Sequence, residues 1–439
     1  MLFGAAALLA TTAMLAAPPP KLTGAHPCPG HAGFTCSTLI VPLDHSGRRP
    51  GTLRLAVAAA KHAKAPRGVL LLIAGGPGQP GVPLLDRVER IAGRERKAYR
   101  VVVYDQRGTG AGALDCPALQ DAMGSSDLAP PPAPAVRACA TALGARRAYF
   151  GTDDVVADME SLREALGAAR WTLDGVSYGT FVAERYALGH PSHVARLVLD
   201  SVVPQTGDSG LTLAEAHAVG RVLRDVCGSN ICGNDLATVV RKRHDGPQLL
   251  DALTLDSIVD PTYTSAFDVP DALARAAHGD PSGLEQFLST TEGWNAAPAD
   301  ELSQGLHASA LCADWRFPWG SSEAPLTVRD GKLARAVAAV PAARFWPFDR
   351  ATLAGNGIVR QCLPWAPTAP TPAARGTIHS PTLLLSGTHD LSTPLEWARQ
   401  EAALIPGSRL VVVPGAGHSV QSRAASDAGR AAVARFLVG

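Results

Sequence analysis

Two segments of the chain, residues 68–74 and 99–104, are apolar at nearly every position, and this pattern constrains the fold more than any other feature. Residues 171–176, 195–202, 382–386 and 409–413 are further segments with the character of strands. A strand that is apolar on both sides is covered on both faces, as in a parallel sheet flanked by helices. The sequence therefore predicts an α/β fold with a mostly parallel central sheet.

The sheet-like segments are nearly absent from residues 204–375, which carry short helical patterns, prolines and several tryptophans. The simplest interpretation is one core that is interrupted by a mainly helical cap. We predict that the first part of the core comprises residues 26–203, the cap residues 204–375, and the second part residues 376–439. Residues 38–43 and 52–60 predict an edge hairpin. The proline-rich stretch 115–150 is predicted to be mostly loop.

The segment GVSYG at residues 175–179 matches the G-x-S-x-G pattern, in which a strand turns sharply into a helix and exposes a serine. It closes the apolar segment 171–176, and a helical pattern begins at Thr180. Glycines at positions 175 and 179 allow the tight turn. We therefore predict that Ser177 is a nucleophile at the carboxyl end of a strand.

A serine hydroxyl needs a base to become a nucleophile, and the base needs an orienting carboxylate. The order expected with this serine turn is serine, acid, histidine. Asp390 and His418 each follow one of the last two predicted strands, so both lie in loops at the edge that carries Ser177. We predict Asp390 as the acid and His418 as the base. His389, which precedes the acid, is the competing candidate for the base.

The segment AGGPG at residues 74–78 follows another predicted strand, where a second donor to the oxyanion is expected. Glycines let backbone N–H groups point into a site without side-chain obstruction. We predict that the N–H groups of Gly76 and Tyr178 form the oxyanion hole, with Gly75 as the alternative to Gly76. A phosphate-binding loop is excluded, because the glycine spacing is wrong and no Lys-Ser or Lys-Thr pair follows.

Residues 1–25 begin with an apolar stretch rich in alanine and leucine, which is followed by three prolines and is typical of a secretory signal. The stretch is too short for a stable membrane anchor. Cleavage after Ala17 and cleavage after Ala25 are both compatible with it, and a buried N-terminal helix is the alternative. We therefore expect a secreted, periplasmic or cell-envelope protein.

The chain has 8 cysteines, an even number that predicts disulfides in an exported protein. Joining sequence neighbours gives the least entangled set of pairs, which is Cys28–Cys36, Cys116–Cys139, Cys227–Cys232 and Cys312–Cys362. The spacing of the cysteines and histidines is not that of a zinc site, so no metal is expected.

With these motifs placed, the chain resembles the secreted tripeptidyl aminopeptidases and prolyl aminopeptidases of the α/β-hydrolase clan. The resemblance is carried by GGPG at 75–78, DQRGTG at 105–110, DDVVADMESLREALG at 153–167, GVSYGT at 175–180, GTHDLSTP at 387–394 and GH at 417–418. It implies an α/β-hydrolase fold with an inserted cap, and cleavage of short peptides from a free amino terminus without a cofactor. It also implies that Thr393 helps to hold the Asp390 loop, for which a simple helix cap is the alternative.

Prolyl aminopeptidases usually carry histidine before the double glycine, whereas this chain has Ala74. The departure favours the tripeptidyl-type relatives. An aminopeptidase must also pair the ammonium group of its substrate, because an unpaired buried charge is costly. Glu301 and Asp314 of the cap are the candidate partners, and an ordinary surface or ion-paired residue is the alternative for each. The predicted Cys312–Cys362 disulfide would hold the carboxylate of Asp314 rigidly.

Lys and Arg number 40 against 39 Asp and Glu, which gives a net charge of +1. No overall field draws such a chain to nucleic acid or to anionic lipid, so a small or neutral partner is expected. The resemblance implies that this partner is a peptide with a free amino terminus. Two other functions stay open. One is an exported carboxylesterase or lipase with the same triad, and the other is a catalytically silent relative that serves as a binding protein.

Overall fold

The computed structural model describes residues 19–61, 65–254, 258, 264 and 266–439. Most of the predicted secretory signal, residues 1–18, lies outside the described residues. The strands are β1 (Leu22–Cys28), β2 (His31–Pro42), β3 (Thr52–Ala60), β4 (Val69–Ile73), β5 (Arg100–Tyr104), β6 (Trp171–Val176), β7 (Val194–Asp200), β8 (Thr382–Gly387) and β9 (Arg409–Val413).

The nine strands form one sheet in the order β1-β2-β3-β5-β4-β6-β7-β8-β9. The first three pair antiparallel, and β3 is antiparallel to β5, while the six strands from β4 to β9 all run parallel. Alternate residues of β4 belong to two separate hydrophobic clusters, Leu71 and Ile73 to one and Leu70 and Leu72 to the other. Each side of the sheet is therefore covered, as the continuous apolar segments predict.

Helices pack on both faces of this sheet. A second set of helices is formed by the part of the chain that connects β7 to β8. The core helices are α1 (Leu85–Ile91), α2 (Pro117–Met123), α3 (Ala133–Leu143), α4 (Thr152–Ala165), α5 (Tyr178–Gly189), α15 (Leu395–Leu404), α16 (Val420–Arg423) and α17 (Ala428–Val438). Between β7 and β8 lie α6 (Leu213–Cys227), α7 (Ile231–Arg243), α8 (Gly246–Thr254), α9 (Val269–Ala277), α10 (Ser282–Asn295), α11 (Gln304–Asp314), α12 (Leu326–Ala339), α13 (Arg350–Gly355) and α14 (Gly357–Cys362). The division into core and cap at residues 204 and 375 stays a prediction.

The edge of the sheet differs from the predicted hairpin. Strands β2 and β3 pair as expected, but β1 adds a further strand outside them. Five consecutive residues of β1 are exposed, so the segment has no alternating apolar pattern to reveal it. The Cys28–Cys36 disulfide joins β1 to β2 and stabilises a strand that buries little apolar surface.

The stretch 115–150 is not mostly loop, because it contains helices α2 and α3. Pro117 is the first residue of α2, and Pro134 lies in the first turn of α3. Proline is favourable at a helix start, where its missing N–H would have no partner inside the helix. Pro130, Pro131 and Pro132, which suggested a loop, lie outside the helices and directly precede α3. The Cys116–Cys139 disulfide joins the two helices.

All eight cysteines form disulfides, and the four bonds join the pairs that the sequence predicts. Two of them hold cap segments, since Cys227–Cys232 closes the turn between α6 and α7, and Cys312–Cys362 links α11 to α14. Within the described part of the chain, no helix combines the length and the apolar character that a membrane span requires.

The junction of β6 and α5 leaves no space for a side chain at position 179. A Cβ on Gly179 would lie 2.3 Å from the backbone oxygen of Ile73 in β4. We predict that Gly179→Ala lowers the free energy of unfolding by about 1–3 kcal/mol or more, because either α5 or β4 must shift to make room for the added methyl group. The matched control is Gly189→Ala at the end of the same helix, where an added Cβ meets no atom within 4 Å. Equal denaturation midpoints for the two variants would contradict the packing argument.

Candidate active site

Ser177 lies between β6 and α5 in a sharp turn, with φ 56° and ψ −129°. A non-glycine residue rarely adopts this conformation, and it persists only where the surroundings enforce it. The surroundings here are tight, since a Cβ on Gly175 would lie 2.3 Å from the oxygen of Gly179. The turn presents the predicted nucleophile at the carboxyl end of β6, partly accessible to solvent.

Asp390 and His418 lie in the loops that follow β8 and β9. Both carboxylate oxygens of Asp390 are 3.2 Å from Nδ1 of His418. The loops themselves are in contact, because the N–H of His389 donates to the oxygen of Ala416 at 2.9 Å. The structure thus brings the predicted acid and base together, while His389 points elsewhere, with Nε2 3.6 Å from Asp225.

Thr393 holds the carboxylate of Asp390 from two sides. Its N–H donates to Oδ1 at 2.8 Å and its hydroxyl donates to Oδ2 at 2.9 Å, while the N–H of Ser392 donates to Oδ1 at 3.1 Å. Burial opposes the charge of this fully buried group, but His418 and these hydrogen bonds keep the pKa of Asp390 below its ordinary value. Asp390 is therefore an ionised acceptor for the Nδ1–H of His418.

Ser177 and the residue after His418 are both attached to the end of β7. The N–H of Ser177 donates to the oxygen of Asp200 at 3.0 Å. The N–H of Ser419, next to His418, donates to Oγ of Ser201 at 2.8 Å. Because β6, β7, β8 and β9 are adjacent parallel strands, their carboxyl ends form one edge. The structure brings all three predicted triad residues to that edge.

The predicted oxyanion donors also lie at this edge. Gly76 and Tyr178 line the same cavity as Ser177. Neither of their backbone N–H groups donates a hydrogen bond to another described residue. Gly75 packs directly on the serine, since a Cβ there would be 2.9 Å from Cβ and 3.4 Å from Oγ of Ser177. Unsatisfied N–H groups beside a serine can bind a developing oxyanion.

The structure places neither predicted partner of the substrate amine among the described residues that line this cavity. Glu301 is exposed on the surface. Asp314 is buried and accepts hydrogen bonds from Tyr178, Thr152 and Thr371, with 2.6 Å between its Oδ2 and Oγ1 of Thr152. Asp314 therefore joins the cap to the starts of α4 and α5, and has no oxygen left for a ligand.

A different carboxylate, Glu215 of α6, does line the cavity. Its side chain is buried, and Oε2 has no hydrogen-bond partner among the described residues. Burial raises the pKa of Glu215 well above its ordinary value, and nearby Asp208 adds to the effect. The sequence contains a signal for this residue, because Glu215 stands on the apolar stripe that includes Val219 and Val222.

Asp127 and His307 form a second polar feature of the same cavity. Gln361 donates through Nε2 to Oε1 of Gln304 at 3.3 Å, so its own Oε1 accepts the Nδ1–H of His307 at 2.8 Å. Nε2 of His307 lies 3.2 Å from Oδ1 of Asp127, so the imidazole and this carboxylate form a polar pair. The sequence analysis missed this pair, because its members are distant in the chain.

The described lining of the cavity includes the carboxyl groups of Glu215 and Asp127 but no lysine or arginine. The rest of its polar lining consists of hydroxyl groups, His307, the N–H groups beside Ser177 and the indoles of Trp315 and Trp397. Such a cavity favours a ligand that is cationic at one end and has a carbonyl group at the serine.

Two family models match the chain. The one described as "alpha/beta hydrolase fold" matches residues 68–222, which contain β4 to β7 and the serine turn. The chain has the α/β-hydrolase fold. The second model, described as "TAP-like protein", matches residues 351–439, which contain β8, β9, Asp390 and His418. The two matches together cover both parts of the predicted core from β4 onward.

The chain is 28% identical to the tripeptidyl aminopeptidase of Streptomyces lividans over 193 residues, or 39% of this chain and 36% of that protein. It is 25% identical to the serine protease Hip1 of Mycobacterium tuberculosis over 441 residues, covering 88% and 82%. It is 31% identical to a probable proline iminopeptidase of Streptomyces coelicolor over 152 residues, covering 35% and 38%. The matched part thus spans about a third of the tripeptidyl aminopeptidase. The predicted resemblance to serine aminopeptidases of this clan is confirmed.

The hydroxyl of Thr393 provides a test of the acid's environment. We predict that Thr393→Val slows the reaction of Ser177 with a fluorophosphonate about tenfold or more, since a hydrogen bond to a charged group is worth about 1.5–3 kcal/mol. Thr393→Ser keeps the hydroxyl and is the matched control, with a rate close to that of the wild type. A Val variant that is labelled at the wild-type rate would show that Oγ1 of Thr393 does not support the acid.

Proposed function

We propose that the protein is a serine peptidase that releases short peptides or single residues from free amino termini. The observation that carries the proposal is the cavity beside Ser177, which contains two carboxyl groups and in which a buried oxygen of Glu215 has no hydrogen-bond partner among the described residues. A peptide amino terminus supplies a cation, and its first carbonyl groups lie within a few bonds of that cation. The similarity to tripeptidyl aminopeptidases supports the same substrate class.

In the proposed reaction, His418 removes the proton from Oγ of Ser177, which attacks the scissile carbonyl carbon. The oxyanion is held by the N–H groups of Gly76 and Tyr178. His418 then gives the proton to the leaving amine, the C–N bond breaks, and an acyl-enzyme remains. Water, deprotonated by His418, attacks the ester carbon. The C–Oγ bond then breaks, His418 returns the proton to Oγ of Ser177, and the acyl group leaves as a carboxylic acid. Asp390 keeps His418 in the tautomer that carries its proton on Nδ1.

The cap restricts the substrate. Its residues Glu215, His307 and Trp315 line the cavity opposite Ser177 and Thr393 of the core. A folded polypeptide cannot enter a cavity closed by helices, whereas the end of a short peptide can. This arrangement supports an exopeptidase over an endopeptidase.

An exported carboxylesterase or lipase with the same triad is the second candidate. Its substrates carry no ammonium group, so they offer no partner to Glu215 or Asp127. The acidic lining of the cavity therefore favours the peptidase. A catalytically silent binding protein is the third candidate, and the strained turn at Ser177 argues against it, because a binding protein has no need of an activated serine.

We also propose that the protein is exported. Four disulfides form and persist in oxidising compartments, and are rare in the cytosol. Cleavage after Ala25 would remove the first residues of β1, which pair with β2. Cleavage after Ala17 leaves that strand whole, so we propose Pro18 as the first residue of the mature chain.

The nucleophile is tested with Ser177→Ala. We predict that the wild type is labelled by a fluorophosphonate and hydrolyses tripeptidyl anilides with a free amino terminus, and that the variant does neither. The variant keeps its denaturation midpoint, because the substitution removes one partly exposed hydroxyl. Acetylated anilides and acyl esters are assayed in parallel. Turnover of esters without turnover of any free-amine peptide would exclude the peptidase.

The amine subsite is tested with Glu215→Gln. Since the pKa of Glu215 is raised, the free enzyme holds a proton that must leave before the carboxylate can pair with an ammonium group. We predict that KM for a free-amine peptide falls as pH rises, until the peptide amine itself loses its proton near pH 8. The Gln variant loses this pH dependence and has a higher KM.

The matched control is Glu301→Gln, which changes an exposed carboxylate of the cap outside the cavity. It keeps the wild-type pH dependence of KM. If Glu215→Gln behaves like this control, the ammonium group binds elsewhere, while the Ser177→Ala experiment still decides whether the chain is a hydrolase.

A further inference from the structure

Asp200 is the last residue of β7 and lies behind the triad, buried from solvent. Its side chain accepts two backbone hydrogen bonds from the segment that follows His418. The N–H of Val420 donates to Oδ1 at 2.9 Å and the N–H of Gln421 donates to Oδ2 at 2.8 Å. Each oxygen of one carboxylate is thus committed to the loop that carries the proposed base.

The same residue is bonded to the proposed nucleophile. Its backbone oxygen accepts the N–H of Ser177 at 3.0 Å. The next residue, Ser201, continues the attachment, since its Oγ accepts the N–H of Ser419 at 2.8 Å. Ser201 and Ser419 both have a positive φ, 60° and 66° respectively. The turns at these two residues are therefore held in conformations that an isolated chain avoids.

Two nearby charges affect the ionisation of Asp200 in opposite directions. His418 is the cation that favours its ionised form, and Asp390 is the anion that opposes it. On the other side of Asp200, Asp174 accepts a hydrogen bond from Nε2 of Gln421 at 3.0 Å. Burial raises the pKa of Asp174 well above its ordinary value, with Asp200 and Glu95 adding to the effect.

Asp200 lines a small cavity together with Asp174 and Arg87. Burial raises the pKa of Asp200 to about 6, against the hydrogen bonds from the loop and the attraction of His418. Above that pH the carboxylate is ionised, and its charge acts through a region of low dielectric constant. The base therefore has two carboxylates near it, Asp390 in direct contact and Asp200 behind its loop.

We propose that Asp200 is a positioning residue of the catalytic centre, which fixes the base loop against the nucleophile turn and places a second negative charge behind the imidazolium form of His418. The proposal rests on the proposed triad but not on the peptide substrate. Its readout is therefore the rate at which a fluorophosphonate labels Ser177, which needs the serine and its base and no particular substrate.

The test is Asp200→Asn, with the labelling rate measured from pH 4.5 to 9. We expect the plateau rate to fall about tenfold or more, since a displacement of about 1 Å can cost about a hundredfold. We also expect the acid limb to move to lower pH, because loss of the negative charge makes protonation of His418 less favourable. A purely structural role would lower the plateau and leave the acid limb where it is in the wild type.

Asp174→Asn is the matched control, because it changes a buried carboxyl group of the same cavity that bonds Gln421 through the side chain only. It keeps the wild-type plateau and acid limb. An Asp200→Asn variant with the wild-type plateau, or with an unmoved acid limb, overturns the proposal.

Ser201→Ala separates position from charge and remains informative where Asp200→Asn does not fold. It removes the acceptor for the N–H of Ser419 and a long hydrogen bond of 3.3 Å to Oδ1 of Asp200, while the carboxylate keeps its charge and its two backbone donors. We expect a lower plateau with an unmoved acid limb, and a wild-type plateau would contradict the attachment of the base loop to the end of β7. Absence of peptide hydrolysis alongside normal labelling would overturn the proposed peptidase and leave this inference intact.

Discussion

The strained backbone at Ser177 is the constraint on which the rest of the structure depends. The positive φ of this residue requires α5 to start directly against β4 and β6, which only glycine at positions 175 and 179 permits. The contact is backbone against backbone, so it cannot be relieved by a change of side-chain rotamer. The continuous apolar strands supply the rigid support, because a sheet covered on both faces resists the shift that would release the turn.

The carboxyl groups near this edge of the sheet lie in different environments. Asp390 is buried but surrounded by donors and by His418, and stays ionised. Burial raises the pKa of Glu215 and that of Asp174 well above their ordinary values. Asp200 lies between these extremes, with two backbone donors. The pKa values of these carboxyl groups thus differ because their hydrogen-bond partners and neighbouring charges differ. One site can therefore hold a permanent anion and a second carboxyl group that ionises when a cation binds.

Much of this arrangement is predictable from local sequence. The positions of Ser177, Asp390 and His418 follow from where strands end, since the carboxyl ends of parallel strands meet at one edge. Strand β1 and helices α2 and α3 were not predicted, because β1 buries little apolar surface and the prolines of α2 and α3 stand at helix starts. The cap residues around the cavity depend on how helices pack onto the core, which no local pattern encodes. Of these cap residues, Glu215 has a signal in the local sequence, because it is a charged residue on the apolar face of a helix.

The attachment of the cap to the core bears directly on the oxyanion hole. The hydroxyl of Tyr178 donates to Asp314 of α11, and Thr152 of α4 donates to the same carboxylate. The backbone N–H of Tyr178 is one of the proposed oxyanion donors, so the residue that stabilises the transition state is fixed by its side chain to the cap. The cap therefore does more than limit substrate size. Because Asp314 is held to α14 by the Cys312–Cys362 disulfide two residues away, this contact ties the roof of the cavity to the turn that carries Ser177.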